Sequence, residues 1–570
     1  MKLFVALSLV ALLLLLIQNK YRPSYLFGGL ATLYYLVGLL NINEWTSSYT
    51  NSSLIVLLLL LLVSVSIEKT VIIEYFSKLL IRPSYKLSLL RLGIVTPIFS
   101  AFLNNTAVVA SFMGIIKSNN THLPSKLLIP LSYFAIVGGT MTLVGTSTNL
   151  IVNSFVVQNG LPSLHMFDFF TVGLLLTISV VITVIFASKL LPSYQNDTKE
   201  IEEHLLELKV TPNSKLIGKS IKDNGLRALE YLFLLEIQRD NKTISPVNPN
   251  EVIEADDRLI FNGDIKHIEV LKKFDGLKMS AGVDLNRLNL VDAIVAPESN
   301  LIGKMVKEAN FRSKFDAAIV SFKRGSHNIS KIGHETIQAG DRLVLAVGND
   351  FKYRDNIAKN FYIFGSIEHN KKFSSKKSFT TVAGFATVVL LSALGILSLL
   401  KGLLVMLAVL LLTKTMNFEQ IKRRFAYDIF IIVGSSLAIA KVLVDSGVAD
   451  IFALYVVEIF GAYGVYGSFI GIYLLTLLLT EIITNNAAAA LAFPIAYATA
   501  TALDASVVPF IFAVAYGASA SFMMPYGYQT NLMVSSLGGY KTTDFVKIGW
   551  IVSLVYSSVV LIAVPIVFNF

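Results

Sequence analysis

From Met1 to about residue 195, and again from about residue 379 to Phe570, the chain is a succession of apolar runs separated by short polar loops. Runs close to the ~20 residues that carry a helix across ~30 Å of hydrocarbon predict membrane spans, because a helix satisfies its backbone groups internally in lipid. The first run, Met1 to Ile17, is nearly all Leu, Val and Ala after Lys2, and the following Gln18 to Ser24 has no small-x-small cleavage pattern, so it is read as a retained span. Between the halves the pattern changes to short alternating segments, Tyr231 to Ile237 and Ala317 to Phe322, which predict strands in water.

Two kinds of polar cluster interrupt the apolar halves, and each occurs twice. Asn104-Asn105 lies in Phe102-Leu-Asn-Asn-Thr-Ala-Val-Val-Ala-Ser-Phe112, and Asn485-Asn486 lies in Ile483-Thr-Asn-Asn-Ala-Ala-Ala-Ala-Leu-Ala-Phe493. Downstream come Gly145-Thr-Ser-Thr-Asn149 and Gly527-Tyr-Gln-Thr-Asn531, at 45 residues from Asn104 to Asn149 and 46 from Asn485 to Asn531. Polar side chains amid apolar sequence are costly in lipid unless protein, water or ligand satisfies them. Non-helical backbone at that depth is tolerated only where it lines a cavity or is buried in protein. Each Asn-Asn pair therefore reads as the tip of a re-entrant hairpin, at about 91–117 and 465–500. Each Gly-x-x-Thr-Asn reads as the unwound middle of a broken span, at about 126–158 and 509–537. Interrupted segments in corresponding halves point to a transporter site between inverted repeats. The competing reading makes these residues interhelical glue, with Gly138-Gly139 permitting close packing. Of the ionisable residues in the runs, Glu481 is a candidate relay or sodium ligand, the alternative being a hydrogen-bonded carboxylate near the mouth of the hairpin, and Lys441 is expected to snorkel or pair.

Composition agrees with the membrane reading and narrows the chemistry. Of 570 residues 54% are hydrophobic and 15% charged, against roughly a quarter charged in soluble proteins. Cysteine is absent and the seven His fall outside the long apolar runs. That excludes thiol chemistry, disulfides and Cys-type zinc sites. The polar motifs hold neither a nucleophile with a base nor a metal set, so an enzyme is not expected. A net charge of +10 would suit a nucleic-acid binder, but such a balance also arises from cations kept in cytoplasmic loops. Lys20 and Arg22, then Arg82, Lys86 and Arg91, then Lys117 and Lys126, then Lys422, Arg423 and Arg424 mark those loops; Asn43 to Ser52 and Gln158 to His165 face outward. This threading puts the charged middle segment on the cytoplasmic side of a cell membrane, plasma or inner.

The middle segment holds 55 of the 86 charged residues between Asn196 and Thr380 and is itself a tandem. Pro212-Asn-Ser-Lys-Leu-Ile-Gly-Lys219 recurs as Pro297-Glu-Ser-Asn-Leu-Ile-Gly-Lys304, and Asp257-Arg-Leu259 as Asp341-Arg-Leu343, a period of 84 to 85 residues. Each copy is expected to run from the Leu-Ile-Gly-Lys turn through a short helix and two strands, a small α+β unit. It resembles the C-terminal domain of potassium-conductance regulators over about Glu207 to Asn349, a module that pairs with itself and in some cases binds a small regulatory molecule; the alternative is a dimerisation or rigid tethering element alone. No Gly-x-Gly-x-x-Gly is present, so no dinucleotide or other organic cofactor is expected. Lys371-Lys372 and Lys376-Lys377 read as a positive flank able to meet anionic lipid.

At the four membrane motifs the chain resembles the divalent-anion:sodium symporter family, in the branch with cytoplasmic regulatory inserts that is often linked to sulfate. The resemblance covers both membrane halves. It implies two inverted repeats, a homodimer, and two sodium sites flanking one dianion moved by elevator-type alternating access. Carried over by motif, it assigns the anion to Asn104, Asn105, Thr106, Thr148, Asn485, Asn486, Ala487 and Thr530. It assigns sodium to Ser100, Asn105, Gly145 and Asn149 in one half and to Glu481, Asn486, Gly527 and Asn531 in the other. The tips depart from the family's Ser-Asn-Thr, being aligned as Asn104-Asn105-Thr106 and Asn485-Asn486-Ala487, the second without a hydroxyl. Ser147-Thr148 and Gln529-Thr530 stand where dicarboxylate carriers commonly have Pro-Pro. The expected organisation is a membrane half over 1–195, cytoplasmic units over 207–290 and 291–350, a linker over 351–378 and a second half over 379–570. The expected function is sodium-coupled uptake of a small dianion, sulfate first, with dicarboxylate symport, sodium/proton antiport and, more remotely, a regulated potassium channel as alternatives.

Overall fold

A computed structural model describes the chain except residues 19–20, 78, 195–204, 227–228, 230–231, 241, 264–270, 272, 280–289, 297–298, 326, 330–331, 349, 352–353, 355 and 365–372. Lys20, Asn196, Tyr231, Pro297, Glu298, Asn349, Lys371 and Lys372, named above, lie outside the described residues. The chain divides into one unit of Met1–Pro192, Lys371–Ser535 and Lys541–Phe570 and another of Ser193–Asn370 with Ser536–Tyr540.

The first unit is helical. α1 (Lys2–Gln18), α2 (Pro23–Leu36), α3 (Ile42–Tyr49), α4 (Ser52–Glu68) and α5 (Val71–Ser77) precede α6 (Tyr85–Ser100), α7 (Asn105–Ser118), α8 (Leu128–Gly139), α9 (Ser147–Gln158) and α10 (Phe170–Ala187). The second half supplies α11 (Ser375–Ala393), α12 (Leu399–Leu412), α13 (Phe418–Arg424), α14 (Tyr427–Asp445) and α15 (Val448–Phe460). It continues with α16 (Gly464–Ile482), α17 (Asn485–Ala502), α18 (Val507–Ser519), α19 (Gln529–Gly538) and α20 (Thr542–Val567). Five helical stretches among the described residues are long and apolar enough to cross a membrane: Ile42–Glu68, Phe170–Leu190, Tyr427–Asp445, Val448–Ile482 and Thr542–Val567. Lys441, on α14, pairs with Asp445 at 3.0 Å and Glu44 at 3.5 Å.

Local chemistry sets several helix starts. Asn41 opens α3 with a capping box, its side chain accepting from Glu44 N while Glu44 reaches back to Asn41 N. Asn51 opens α4 by accepting from Ser53 N at 2.9 Å and also donates to Ser154 O on α9 at 3.1 Å, so one cap ties two helices. The segments expected to be hairpins are the helix pairs α6/α7 and α16/α17, and those expected to be broken spans are α8/α9, interrupted at 140–146, and α18/α19, interrupted at 520–528. α6 packs on α8, α16 on α18, and α10 on α20.

The second unit holds two five-stranded antiparallel sheets. β1 (Leu205–Val210), β2 (Leu232–Arg239), β3 (Lys242–Ile244), β4 (Arg258–Gly263) and β5 (Leu277–Met279) take the order β3-β2-β4-β1-β5. β6 (Leu290–Val295), β7 (Ala317–Arg324), β8 (His327–Asn328), β9 (Arg342–Val347) and β10 (Phe361–Phe364) take the order β8-β7-β9-β6-β10, the same arrangement strand for strand. Even the bulges correspond, at Leu234/Glu236 and Ile319/Ser321. Within residues 351–378, expected as linker, residues 357–364 instead form the helix Ile357–Asn360 and β10, which pairs with β6. The short helix expected after each Leu-Ile-Gly-Lys turn is present at Phe311–Phe315 in the second copy, whereas residues 221–226 of the first are turns.

The repeated motifs have physical roles. Gly218 and Gly303 sit at φ +78° and +81°, a left-handed conformation that a Cβ disfavours, which accounts for glycine at the Leu-Ile-Gly-Lys turn. In Asp-Arg-Leu, buried Asp257 accepts from Nε and Nη2 of Arg239 at 2.8 and 2.9 Å and from Glu254 N at 2.8 Å. Asp341 does the same with Arg324, at 2.8 and 2.9 Å, and with Gln338 N at 2.7 Å. Such bidentate pairs fix both distance and orientation. The next residue, Arg258 or Arg342, pairs across to Glu207 or Asp292, each at 3.1 Å. Leu259 and Leu343 then enter the separate cores of their copies. Leu235 and Ile260 of the first sheet join Val320, Val344 and Ala346 of the second in one buried cluster, so the sheets pack face to face.

Candidate substrate and cation site

The first tip is built by α6 ending at Ser100 and α7 beginning at Asn105. Asn104 caps α7 by accepting from Thr106 N at 2.9 Å, and Asn105 turns inward and is buried. Ser100 Oγ donates to Ala135 O on α8 at 2.8 Å. One end of the Asn105 amide lies 2.6 Å from Ser100 Oγ, 3.2 Å from Gly145 O and 3.3 Å from Ala135 O; the other lies 2.6 Å from Tyr528 Oη. With nitrogen at the crowded end, every contact is a hydrogen bond. With oxygen there, four oxygens converge, an arrangement that a hard cation reconciles. Asn149 adds a buried Oδ1 without a hydrogen-bond partner.

The second tip repeats this geometry one residue earlier than the sequence alignment of the Asn pairs expects. Thr480 Oγ1 donates to Asn485 Oδ1 at 3.2 Å and to Ala518 O on α18 at 2.6 Å, as Ser100 does with Asn105 and Ala135. Thr484 stands at the N-cap of α17 as Asn104 does for α7. The counterpart of Asn105 is thus Asn485, not Asn486, and the second tip is Thr484-Asn485-Asn486, which regains a hydroxyl. Ala487 is fully buried in the first turn of α17 and offers no polar side-chain group, so its assignment to the anion is withdrawn. The spacing that carries this register was in the sequence: a hydroxyl residue five positions before the inward Asn, Ser100 and Thr480.

The loops close over the tips in a matching way. Asn149 Nδ2 donates to Thr142 O at 2.9 Å, and Asn531 Nδ2 to Ser521 O at 2.8 Å and Met524 O at 3.4 Å, so each terminal Asn holds its own unwound loop. A Cβ on Gly145 would lie 2.5 Å from Gly139 O and 3.0 Å from Ala101 O, and one on Gly527 2.6 Å from Thr480 O and 2.1 Å from Ser521 Oγ. The first residue of each Gly-x-x-Thr-Asn is therefore set by close backbone approach. Across the halves, Thr106 Oγ1 donates to Gln529 Oε1 at 3.1 Å and Ser147 Oγ to Asn486 Oδ1 at 3.0 Å. These four residues lie at the starts of α7, α19, α9 and α17. Each pair therefore joins the starts of two helices, whose ends carry partial positive charge.

Other assigned residues fall behind this mouth. Thr148 and Thr530 are fully buried; Thr530 Oγ1 accepts from Ser132 Oγ at 2.8 Å, and Thr148 Oγ1 has no hydrogen-bond partner. Ser132 Oγ also meets Asn531 Oδ1 at 2.6 Å. Glu481 takes the alternative reading, a hydrogen-bonded carboxylate: it accepts from the N–H groups of Phe522, Met523 and Met524 at 2.9, 3.0 and 2.9 Å. Both oxygens are spent on holding the unwound loop, as expected for a carboxylate satisfying otherwise orphaned donors. Tyr528, which the motif reading passed over as a variable position, joins both halves through Asn105 and through Thr146 Oγ1 at 3.0 Å. Nothing in its spacing distinguishes it from a packing aromatic.

Comparison with known proteins gives concordant results. Residues 3–517 match the citrate transporter family. A protein of Chlamydomonas reinhardtii described as a putative sulfur deprivation response regulator is 30% identical over 94% of this chain and 96% of its own. An uncharacterized transporter of Synechocystis sp. is 27% identical over 91% of this chain and 89% of its own. Sodium/sulfate cotransporter 1 of Chlamydomonas reinhardtii is 29% identical over 61% of this chain and 41% of its own.

Proposed function

The chain belongs to the citrate transporter family, and on that premise we propose that it is a sodium-coupled symporter that takes up a small divalent anion, sulfate first, by elevator-type alternating access between two inverted repeats. The observation that carries this reading is the pairing of residues from four helix starts, Thr106 with Gln529 and Ser147 with Asn486, with a buried Asn, a hydroxyl and a backbone carbonyl close together behind each tip. Helix N-termini, amides and hydroxyls recognise an anion without a fixed positive side chain. The four motifs contain no Lys or Arg.

Two sodium ions are the cargo that completes the charge balance. One is held by Ser100, Asn105 and Asn149 with the Ala135 and Gly145 carbonyls, the other by Thr480 and Asn485 with the Ala518 carbonyl and, around Gly527, the loop of Asn531. Sodium takes neutral oxygen ligands, and the crowded end of Asn105 and the unpartnered Asn149 Oδ1 fit that demand. Each cation places positive charge beside the mouth, so the anion binds well only when sodium is present. In this reading α6/α7 and α16/α17 are re-entrant hairpins, the paired sheets are cytoplasmic regulatory domains that take a small-molecule ligand, and the protein works as a homodimer in the cell membrane.

A carboxylate substrate is the second reading, favoured by the family's description. Uptake of labelled sulfate into proteoliposomes under an inward sodium gradient, with thiosulfate, phosphate, succinate and citrate as competitors, separates them. Sodium-dependent sulfate accumulation that succinate and citrate do not block is the expected result. Equal uptake in sodium and choline would overturn the coupling, and dominant competition by citrate would overturn the substrate.

A further inference from the structure

Tyr528 is a motif residue to which the transport reading gives no role. It belongs to the loop of the second half, and its hydroxyl lies 2.6 Å from the Asn105 amide on the first tip and 3.0 Å from Thr146 Oγ1 on the first loop. Its chain neighbour Gln529 bonds Thr106, the neighbour of Asn105, and Ser147, the neighbour of Thr146, bonds Asn486. The phenol therefore sits between the residues that adjoin both pairs at the mouth, and it is buried.

The Asn105 amide has two orientations with opposite demands on that hydroxyl. With a cation behind the tip, Oδ1 must face it, so Nδ2 points at Tyr528 and donates to Oη. The phenol proton is then free to be donated to Thr146 Oγ1. Without the cation, four oxygens cannot face one another, so the nitrogen turns to Ser100 Oγ, Gly145 O and Ala135 O, and Oδ1 faces Tyr528. Oη must now donate to Asn105 and accept from the Thr146 hydroxyl. A phenol, with one proton and acceptor lone pairs, can serve in both directions, and a threonine hydroxyl can follow it. No step changes the protonation of any group; only the direction of the hydrogen bonds reverses.

We propose that Tyr528 is a positioning residue that transmits occupancy of the first sodium pocket to the anion mouth by reversing the hydrogen-bond chain Asn105–Tyr528–Thr146. This rests on the sodium-coupled reading above. It assigns the coupling to a chain of side chains rather than to the charge of sodium alone. In the sodium direction Tyr528 holds Thr146, and with it Ser147, by donating; in the sodium-free direction it releases that donation to Asn105. Phenylalanine at 528 keeps the ring and its packing but cuts the chain in both directions. Valine at 146 keeps the shape of threonine and cuts the chain at its far end.

The test is calorimetric titration of sulfate into the purified full-length protein in sodium chloride and in choline chloride, for the wild type, Tyr528→Phe and Thr146→Val. An allosteric coupling of ordinary size makes the wild-type ratio of sulfate affinities roughly 5- to 150-fold. Both variants are expected to lower that ratio about threefold or more, leaving the smaller dependence due to the second sodium pocket. Sodium-induced thermal stabilisation in the absence of sulfate is expected to persist in both, since the cation ligands remain. A merely structural tyrosine would weaken sulfate in both salts equally and leave the ratio unchanged, which would overturn the relay. If Tyr528→Phe does not fold, Thr146→Val decides alone by the same ratio. A wild type that binds sulfate equally in the two salts would overturn the symport reading itself and the relay with it, a result distinguishable from an unchanged ratio in the variants.

Discussion

Replacing Asn485 and Asn486 separately by alanine tests the register of the second tip, because the two neighbours face different chemistry. Asn485 is buried and accepts from Thr480 Oγ1 at 3.2 Å, the position equivalent to Asn105, so Asn485→Ala removes an oxygen from the proposed second cation pocket. A contact to a charged partner is worth roughly 1.5 to 3 kcal/mol, and at about 1.4 kcal/mol per decade this is a 10- to 150-fold loss of apparent sodium affinity. Asn486 is half-buried and bonds Ser147 Oγ at 3.0 Å across the mouth. Losing a neutral hydrogen bond of about 0.5 to 1.5 kcal/mol should weaken sulfate roughly 2- to 10-fold. The sodium concentration for half-maximal activation should then barely move. The assay is labelled-sulfate uptake in proteoliposomes, with sodium varied at saturating sulfate and sulfate varied at saturating sodium. The reasoning fails if Asn486→Ala shifts the sodium curve tenfold while Asn485→Ala alters only the sulfate curve, for then the inward residue of the second tip is Asn486 after all.

Further outcomes follow from individual contacts. Gly145→Ala drives a Cβ to 2.5 Å from Gly139 O; because backbone must yield, a loss of about 1 to 3 kcal/mol is expected, seen as a lower thermal midpoint and reduced uptake. Glu481→Gln places an amide NH₂ among three N–H donors; it should lower the midpoint while leaving the sodium activation curve within about twofold in the protein that remains, as a contact worth only tenths of a kcal/mol would. A tenfold sodium shift instead would make Glu481 a cation ligand. In the second unit, Glu236 is fully buried and pairs in register with Ile260 of the cluster between the sheets, and burial there pushes its carboxyl up to about 7. The folded sheets then hold a proton that the unfolded chain, at about 4.3, has released. Their stability should be full below about pH 4 and fall between about pH 4 and 7, by roughly 3 to 4 kcal/mol at 1.36 kcal/mol per unit, and level off above. Hydrogen-exchange protection of β2 and β4 between about pH 4.5 and 7 should show this slope in the wild type and not in Glu236→Gln; an equal slope in both would assign it elsewhere.

By itself the order of residues determined what depends on near neighbours. Apolar runs of helix length, polar motifs recurring at matched spacing and an 84- to 85-residue period are all local or self-comparing signals. They led to a helical membrane chain, to the interrupted segments at the two motif pairs, and to a duplicated insert. Tertiary structure decided what depends on partners far along the chain. Aligning Asn104-Asn105 with Asn485-Asn486 by identity misplaced the second tip by one residue, because the inward position is set by which amide meets the helix across from it, at Ala135 or Ala518. For Glu481 the sequence left a ligand and a hydrogen-bonded carboxylate both open, because its backbone donors lie 41 to 43 residues away. Residues 351–364 resembled a linker because an edge strand of four residues has little pattern of its own until β6 supplies its hydrogen bonds. Tyr528 reaches Asn105 across 423 residues. A hydrogen bond closing so long a loop is selected by the packing of both halves together, and no local spacing encodes it.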